Sequence, residues 1–245
     1  MVLHTRRRLR LGLVVPGPMA GIPPILSLVA KARWSALWLP EGQPPPAGGS
    51  EEAVQVGWTA DQRGVVPRHP GALWLRGPAA RDVAETMALL RGGRHRGSVS
   101  ADVVDLASAD AARRAGALPV IGPAPLDELV LLARQLDGAA AVSLPASPGR
   151  TVAEARARLT RDRDLAAMAS QAPALIGTLE QCQDSVLALL DAGVGELRLR
   201  LPATPDLPDV LAQMSALGAE ALLKLRPGQP RSPAPSAPEG WGGRP

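Results

Sequence analysis

The chain has 245 residues, enough for one domain or at most two, and close to the roughly 250 of an average (β/α)8 barrel. A content of 46% hydrophobic and 20% charged residues excludes a disordered or collagen-like chain, and with no Phe or Tyr any core is built from Leu, Val, Ile, Ala, Met and five Trp. The formal charge of +4 suggests nucleic acid at first, but the cations are almost all Arg alternating with Asp and Glu along helices, and aromatics to stack on bases are scarce, so no nucleic-acid partner is expected. No stretch approaches the roughly 18 apolar residues of a membrane helix. Cys182 is the only cysteine, which rules out an internal disulfide or a thiolate zinc site. Its Leu and Val neighbours at helical spacing mark it as packing.

The N-terminus joins Arg6-Arg7-Arg8 to the apolar run 11–15 and has a twin-arginine look. Prolines 16, 18, 23 and 24 interrupt what an export signal would keep continuous. A cytoplasmic chain beginning with a strand is therefore expected, the alternative being an exported protein with a mature N-terminus near Arg33.

In chain order, residues 9–15 read as a buried strand ending at Pro16-Gly17, residues 22–34 as a helix and 36–39 as a second strand. The stretch 42–52 is linker-like, with a Pro- and Gly-rich core at 42–50. Residues 53–58 and 72–75 are strand candidates, a helix is expected over 79–91, and 99–106 alternate loosely. LPVI at 118–121 is a strand, followed by a helix opened by Pro125, Asp127 and Glu128 and closed at Asp137-Gly138. AAAV at 139–142 is another strand. Thr151 and Glu154 form a capping-box pattern for a helix to about 170, and Thr178 and Gln181 repeat it for 179–192. Residues 196–201 alternate strictly, with one apolar and one charged face, and a last helix covers 206–224. The chain thus divides into an α/β domain over 1–225 and a Pro/Gly-rich tail, 226–245, expected to be disordered. Strands separated by helices imply parallel βαβ units, which a barrel or an open doubly wound sheet would both satisfy.

The common catalytic signatures are absent: no G-x-G-x-x-G after the first strand, no Walker loop, no H-E-x-x-H and no G-x-S-x-G. His4, His69 and His95 lie too far apart in sequence to suggest a metal cluster. Asp102 and Asp105 are either paired carboxylates or a solvated strand edge. In parallel α/β folds ligands sit beyond the carboxyl ends of the strands, here Pro16-Gly17, Pro40-Glu41, Gly122-Pro123-Ala124 and Ser143. The turn at 122–125 enters a helix N-terminus suited to a phosphate, unless it is only a tight turn with a Pro-started helix. Arg198 and Arg200 share one face of the last strand. They are either anion ligands at a barrel mouth or the wet side of an edge strand.

Several segments, taken in order, resemble the luciferase-like flavin-dependent oxidoreductases. Residues 176–202, IGTLEQCQDSVLALLDAGVGELRLRLP, are similar to that family's G-T-P-E, helix, A-G-V and final strand, with Leu179 in place of the Pro. Residues 118–142 resemble its strand, phosphate-side loop, helix and D-G turn. Residues 83–97 resemble the preceding helix, and 9–41 the first strand, first helix and a second strand ending L-W-x-P-E. The resemblance implies a TIM-type barrel carrying FMN or the deazaflavin coenzyme F-420, an oxidoreductase or monooxygenase activity on a small organic substrate, and a homo- or heterodimer. It implies cofactor contacts from Pro16, Glu41, Gly122, Pro123 and Ala124, with Glu41 at the acidic position after the second strand. Gly42 stands where many members have His. Residues 42–78 are compressed where the family has two or more strand–helix units, so an incomplete barrel is expected. The alternative function is a non-catalytic remnant or partner subunit that kept the scaffold and lost the site.

Overall fold

The computed structural model describes residues 9–15, 22–44, 54–61, 71–160, 162–202 and 207–224. Pro16 and the tail at 226–245 lie outside the described residues, as do His4 and His69. The strands are β1 (Arg10–Val14), β2 (Ala36–Leu39), β3 (Gln55–Ala60), β4 (Ala72–Leu75), β5 (Val99–Val103), β6 (Leu118–Ile121), β7 (Ala141–Gly149), β8 (Leu175–Thr178) and β9 (Glu196–Arg200). The helices are α1 (Ile22–Lys31), α2 (Gly77–Arg81), α3 (Val83–Gly92), α4 (Leu106–Ala115), α5 (Leu126–Gln135), α6 (Val152–Leu159), α7 (Arg163–Gln171), α8 (Leu179–Asp191) and α9 (Leu207–Lys224).

All pairings are parallel. β1 through β7 follow one another in order, β6 pairs with β7 through Val120–Ala141, β7 with β9, and β9 with β1. Those eight strands therefore close a ring, a TIM barrel. β8 stands outside it and pairs with the distal half of β7, Ala146–Gly149. The ring is whole in strands, which corrects the incomplete barrel expected from the compressed stretch 42–78. Among the described residues no helix lies between β2 and β3 or between β3 and β4.

Alternation along each strand divides the core in two. Leu11, Leu13, Leu37, Leu39, Leu73, Leu75, Val142, Leu144, Leu197 and Leu199 point outward into the main cluster against the helices. Val14, Ala36, Trp38, Ala72, Trp74, Val120 and Ala141 form a separate cluster inside the ring. With no Phe or Tyr available, the bulk inside comes from two Trp, which meet edge to face at 5.8 Å. Gly57 makes room for one of them: a Cβ there would lie 2.6 Å from Trp38 Cζ3. The early and late parts of the chain are joined by Trp34, ahead of β2, whose Nε1 donates to Ser215 Oγ on α9 at 2.8 Å.

The structure revises several boundaries for local reasons. The helix expected to 170 breaks in two because Asp162 accepts from Leu165 N at 2.9 Å and starts α7 afresh. The helix expected over 79–91 likewise breaks at Asp82, between α2 and α3. Helix α4 is absent from the sequence reading, although Asp105 and Ser108 form a reciprocal capping box at its start and Gly116, with φ 83°, closes it. β8 was also missed, because LIGT carries only two apolar residues where β2, β4 and β6, equally short, carry three or four. In α8 the expected capping box is complete, with Thr178 and Gln181 each accepting the other's backbone N–H.

Candidate active site at the barrel mouth

The carboxyl ends of β2, β3, β4 and β5 bring together residues that are far apart in sequence. Asp102, near the end of β5, points inward, and its Oδ1 accepts from Trp74 Nε1 at 2.7 Å. Arg76 follows β4 and Asp61 follows β3. Arg76 Nε lies 3.8 Å from Asp102 Oδ2 and 3.8 Å from Asp61 Oδ1. Glu41 closes the rim beside β2, its Oε2 accepting from Asp61 N at 3.2 Å. The guanidinium of Arg76 also lies 5.3 Å from the Trp74 ring centroid.

Burial dominates the chemistry of Asp102. It pushes the carboxyl up to about 6, against the pull of the Trp74 hydrogen bond and of Arg76 and Arg198, and the nearby Asp61 pushes it further up. A carboxyl of this kind changes protonation near neutral pH, as a proton-exchanging group must. Asp105 does not pair with it. Ser108 donates to Asp105 Oδ1 from both its N and its Oγ, at 2.7 Å each, so that carboxylate is a helix cap held below its usual pKa. The carboxylate that shares a cation with Asp102 is Asp61, from another strand.

Closure of the ring also settles the two arginines of β9. Arg198 is 2% exposed inside the barrel and is no wet edge. Its Nε donates to Glu196 Oε1 at 2.8 Å and its Nη1 to Ser100 Oγ at 2.7 Å across the interior. The guanidinium stacks 4.0 Å from the Trp38 ring centroid and 4.9 Å from that of Trp74. Arg200, at the end of β9, reaches Asp162 Oδ1 at 3.5 Å before α7.

Of the residues expected to contact a cofactor, Glu41 and Gly122-Pro123-Ala124 stand at strand ends on the mouth side. Gly122 has φ 114°, and a Cβ there would lie 2.4 Å from the Ser143 carbonyl oxygen, so only glycine fits. Beyond Ala124, α5 begins at Leu126 without a side-chain cap and carries Asp127 and Glu128 in its first turn. Ser143 is buried at the Gly122 contact. Gly42 is exposed, with φ 78°. Asp61, Arg76 and Trp74 were missed as site residues. The signal that could have found them is positional, since each falls at or just after the end of a strand. Among the described residues no group of three or more His, Cys, Asp or Glu could hold a metal ion, and no helix is long and apolar enough to cross a membrane.

No family model matches the chain, and no curated protein matches it in sequence. Solved structures do match its fold. An F-420-dependent secondary alcohol dehydrogenase, determined with an F-420–acetone adduct, superposes with a TM-score of 0.63 at 8% identity, covering 88% of this chain and 99% of that one. The F-420-dependent tetrahydromethanopterin reductase of Methanopyrus kandleri gives 0.57 at 9% identity, covering 85% and 97%. Apo-MsnO8 gives 0.53 at 14% identity, covering 89% and 98%. At these identities the likeness is one of fold: the chain is a TIM barrel similar in architecture to F-420-dependent oxidoreductases.

Proposed function

We propose that the mouth of this barrel binds coenzyme F-420, or FMN, and that the protein is a luciferase-like oxidoreductase acting on a small organic substrate. The observation that carries the reading is Asp102, a largely buried carboxyl held at the strand ends by Trp74 at 2.7 Å and Arg76 at 3.8 Å, where burial pushes it up to about 6. F-420 is the first candidate because two of the structural neighbours depend on it.

The residues fit such a group. The Arg76 side chain is 40% exposed at the rim while its Nε faces Asp61 and Asp102 at 3.8 Å, so its guanidinium suits a ring carbonyl or a phosphate oxygen. Arg76 and Glu41 would hold the cofactor at the rim, beside the Gly122-Pro123-Ala124 turn at the end of β6. When bound, the cofactor supplies hydride chemistry. Asp102 Oδ1 is occupied by the indole N–H, so Oδ2 is the atom that takes up or releases the accompanying proton. Trp74 keeps the carboxyl oriented, and Trp38 and Trp74 below it keep water out of the barrel axis.

Equilibrium titration with F-420 and with FMN, followed by tryptophan fluorescence, tests the proposal. Saturable binding of one of them, weakened in Arg76→Ala, is expected; binding of neither rejects it. The alternative, a non-catalytic remnant or partner subunit that kept the scaffold and lost the site, rests on Gly42 standing where the resembled family often has His. Binding of neither cofactor together with a stable folded protein would favour it.

A further inference from the structure

Charged side chains run through the barrel from its N-terminal end to its mouth, and their signs alternate. Arg10 Nη1 lies 3.6 Å from Glu196 Oε2, and Glu196 Oε1 accepts from Arg198 Nε at 2.8 Å. Above Arg198 come Asp102, Arg76 and Asp61. Between Arg198 and Asp102 stands no direct bond but the indole of Trp74. Its ring lies under two guanidiniums, Arg198 at 4.9 Å and Arg76 at 5.3 Å, and its N–H points at Asp102 Oδ1. Cations over an indole face draw density from the ring and make the N–H a better donor.

We propose that Arg198 is a positioning residue: clamped by Glu196 and Ser100, it fixes the Trp74 indole against Asp102 and so sets the readiness of the mouth carboxyl to exchange a proton. A buried Arg in the barrel interior is costly to desolvate, and an apolar layer of similar volume would satisfy packing alone. The bonds of Arg198 are directed: the two hydrogen bonds come from its edge, which leaves its plane for the rings of Trp38 and Trp74. Lys has the charge but neither the plane nor the fork.

The groups facing Asp102 are Trp74 and Arg76 from β4 and its end, Asp61 from the end of β3, and Arg198 from β9. Arg198 therefore acts in two ways, as a charge and as a support for the donor, and two variants separate them. Arg198→Lys retains the charge and removes the stack. Arg198→Met combined with Glu196→Gln removes both charges together, so that no buried ion is left unpaired. Trp74→Phe removes the donor itself and identifies its resonance.

The test is a pH titration of the cofactor-free protein by NMR, reading the Asp102 carboxyl carbon and the Trp74 indole N–H. In the parent both signals are expected to titrate together, with a midpoint of about 6. Trp74→Phe is expected to move the Asp102 midpoint upward by about one pH unit, the scale of one lost hydrogen bond to a charged group. Arg198→Lys is expected to move it in the same direction and to uncouple the indole signal from the carboxyl titration. The neutral pair Arg198→Met with Glu196→Gln is expected to shift it at least as far. An unchanged midpoint and a still-coupled indole in Arg198→Lys would overturn the proposal and leave Arg198 as packing only. If Arg198→Lys does not fold, an unshifted midpoint in the neutral pair overturns it equally. The inference builds on the mouth as the reactive site, yet no cofactor enters the measurement, so it stands or falls separately from cofactor binding.

Discussion

Asp102→Asn is expected to make the protein more stable at pH 8 while removing its proton-exchanging group. Folding raises the Asp102 carboxyl from 3.8 to about 6, so the native state binds this proton more tightly than the unfolded chain does. At pH 4 the carboxyl in the native protein is protonated and carries no penalty. As pH rises through about 6 the native protein must hold a buried carboxylate, and stability from this group is lost. A shift of about two units corresponds to about 3 kcal/mol at full ionisation, an upper bound because the side chain is 29% exposed and solvent screens part of it. The amide removes that cost while its oxygen still accepts from Trp74. Urea unfolding at pH 4, 6 and 8 measures the effect. The variant is expected to match the parent at pH 4 and to exceed it by up to about 3 kcal/mol at pH 8, flattening the profile. A variant that is less stable than the parent at pH 8, or equally displaced at all three pH values, would refute the account of Asp102 as a carboxyl burdened by burial.

Arg198→Met leaves the buried Glu196 with only the half-exposed Arg10 at 3.6 Å, so it is expected to cost up to about 3–5 kcal/mol, and the double variant with Glu196→Gln clearly less than the sum of the singles in a double-mutant cycle by thermal or urea unfolding. Gly122→Ala must place a Cβ at 2.4 Å from the Ser143 carbonyl at φ 114°. A loss of about 2–4 kcal/mol, seen as a lowered Tm, is expected from strain and overpacking together, whereas the exposed Gly42 tolerates Ala at a smaller cost set by its backbone alone. Cys182 is 1% exposed with its thiol pushed up to about 11 by burial, so a thiol reagent at pH 8 should label it only after denaturation; rapid labelling of the native protein would contradict its place on the buried face of α8.

Where the apolar period is local and the stop signals are strong, the elements were readable from the residues alone. Residues 36–39 and 72–75 are strands as expected, Thr178 and Gln181 cap α8 reciprocally, and Cys182 lies buried on that helix. Local patterning fails where the deciding contact is a side-chain cap overlooked within a continuous run. Asp162 cuts one expected helix in two, and Asp105 opens α4, which no apolar stripe announces because its buried face is made of Ala109, Ala112 and Ala115. Asp102 could be named from sequence as one of a pair, but its partner could not. Asp105 is three residues away and turned to a helix end, while Asp61 is brought alongside by the parallel registry of β3, β4 and β5.

By itself the sequence determined the class of fold: short apolar strands spaced by helices can bury themselves only as parallel βαβ units, and the alternation at 196–201 already put Arg198 and Arg200 on one face. Whether that face meets water or protein depends on closure of the ring, which is a property of all eight strands together. Once β6 pairs with β7 and β9 with β1, the charged face of the last strand turns inward. Arg198 then lies against Trp38, Trp74 and Ser100, none of them near it in the chain. Local periodicity tells which residues share a side, and only tertiary closure decides what that side encloses. The mouth and its proton-exchanging carboxyl belong to the second kind of information.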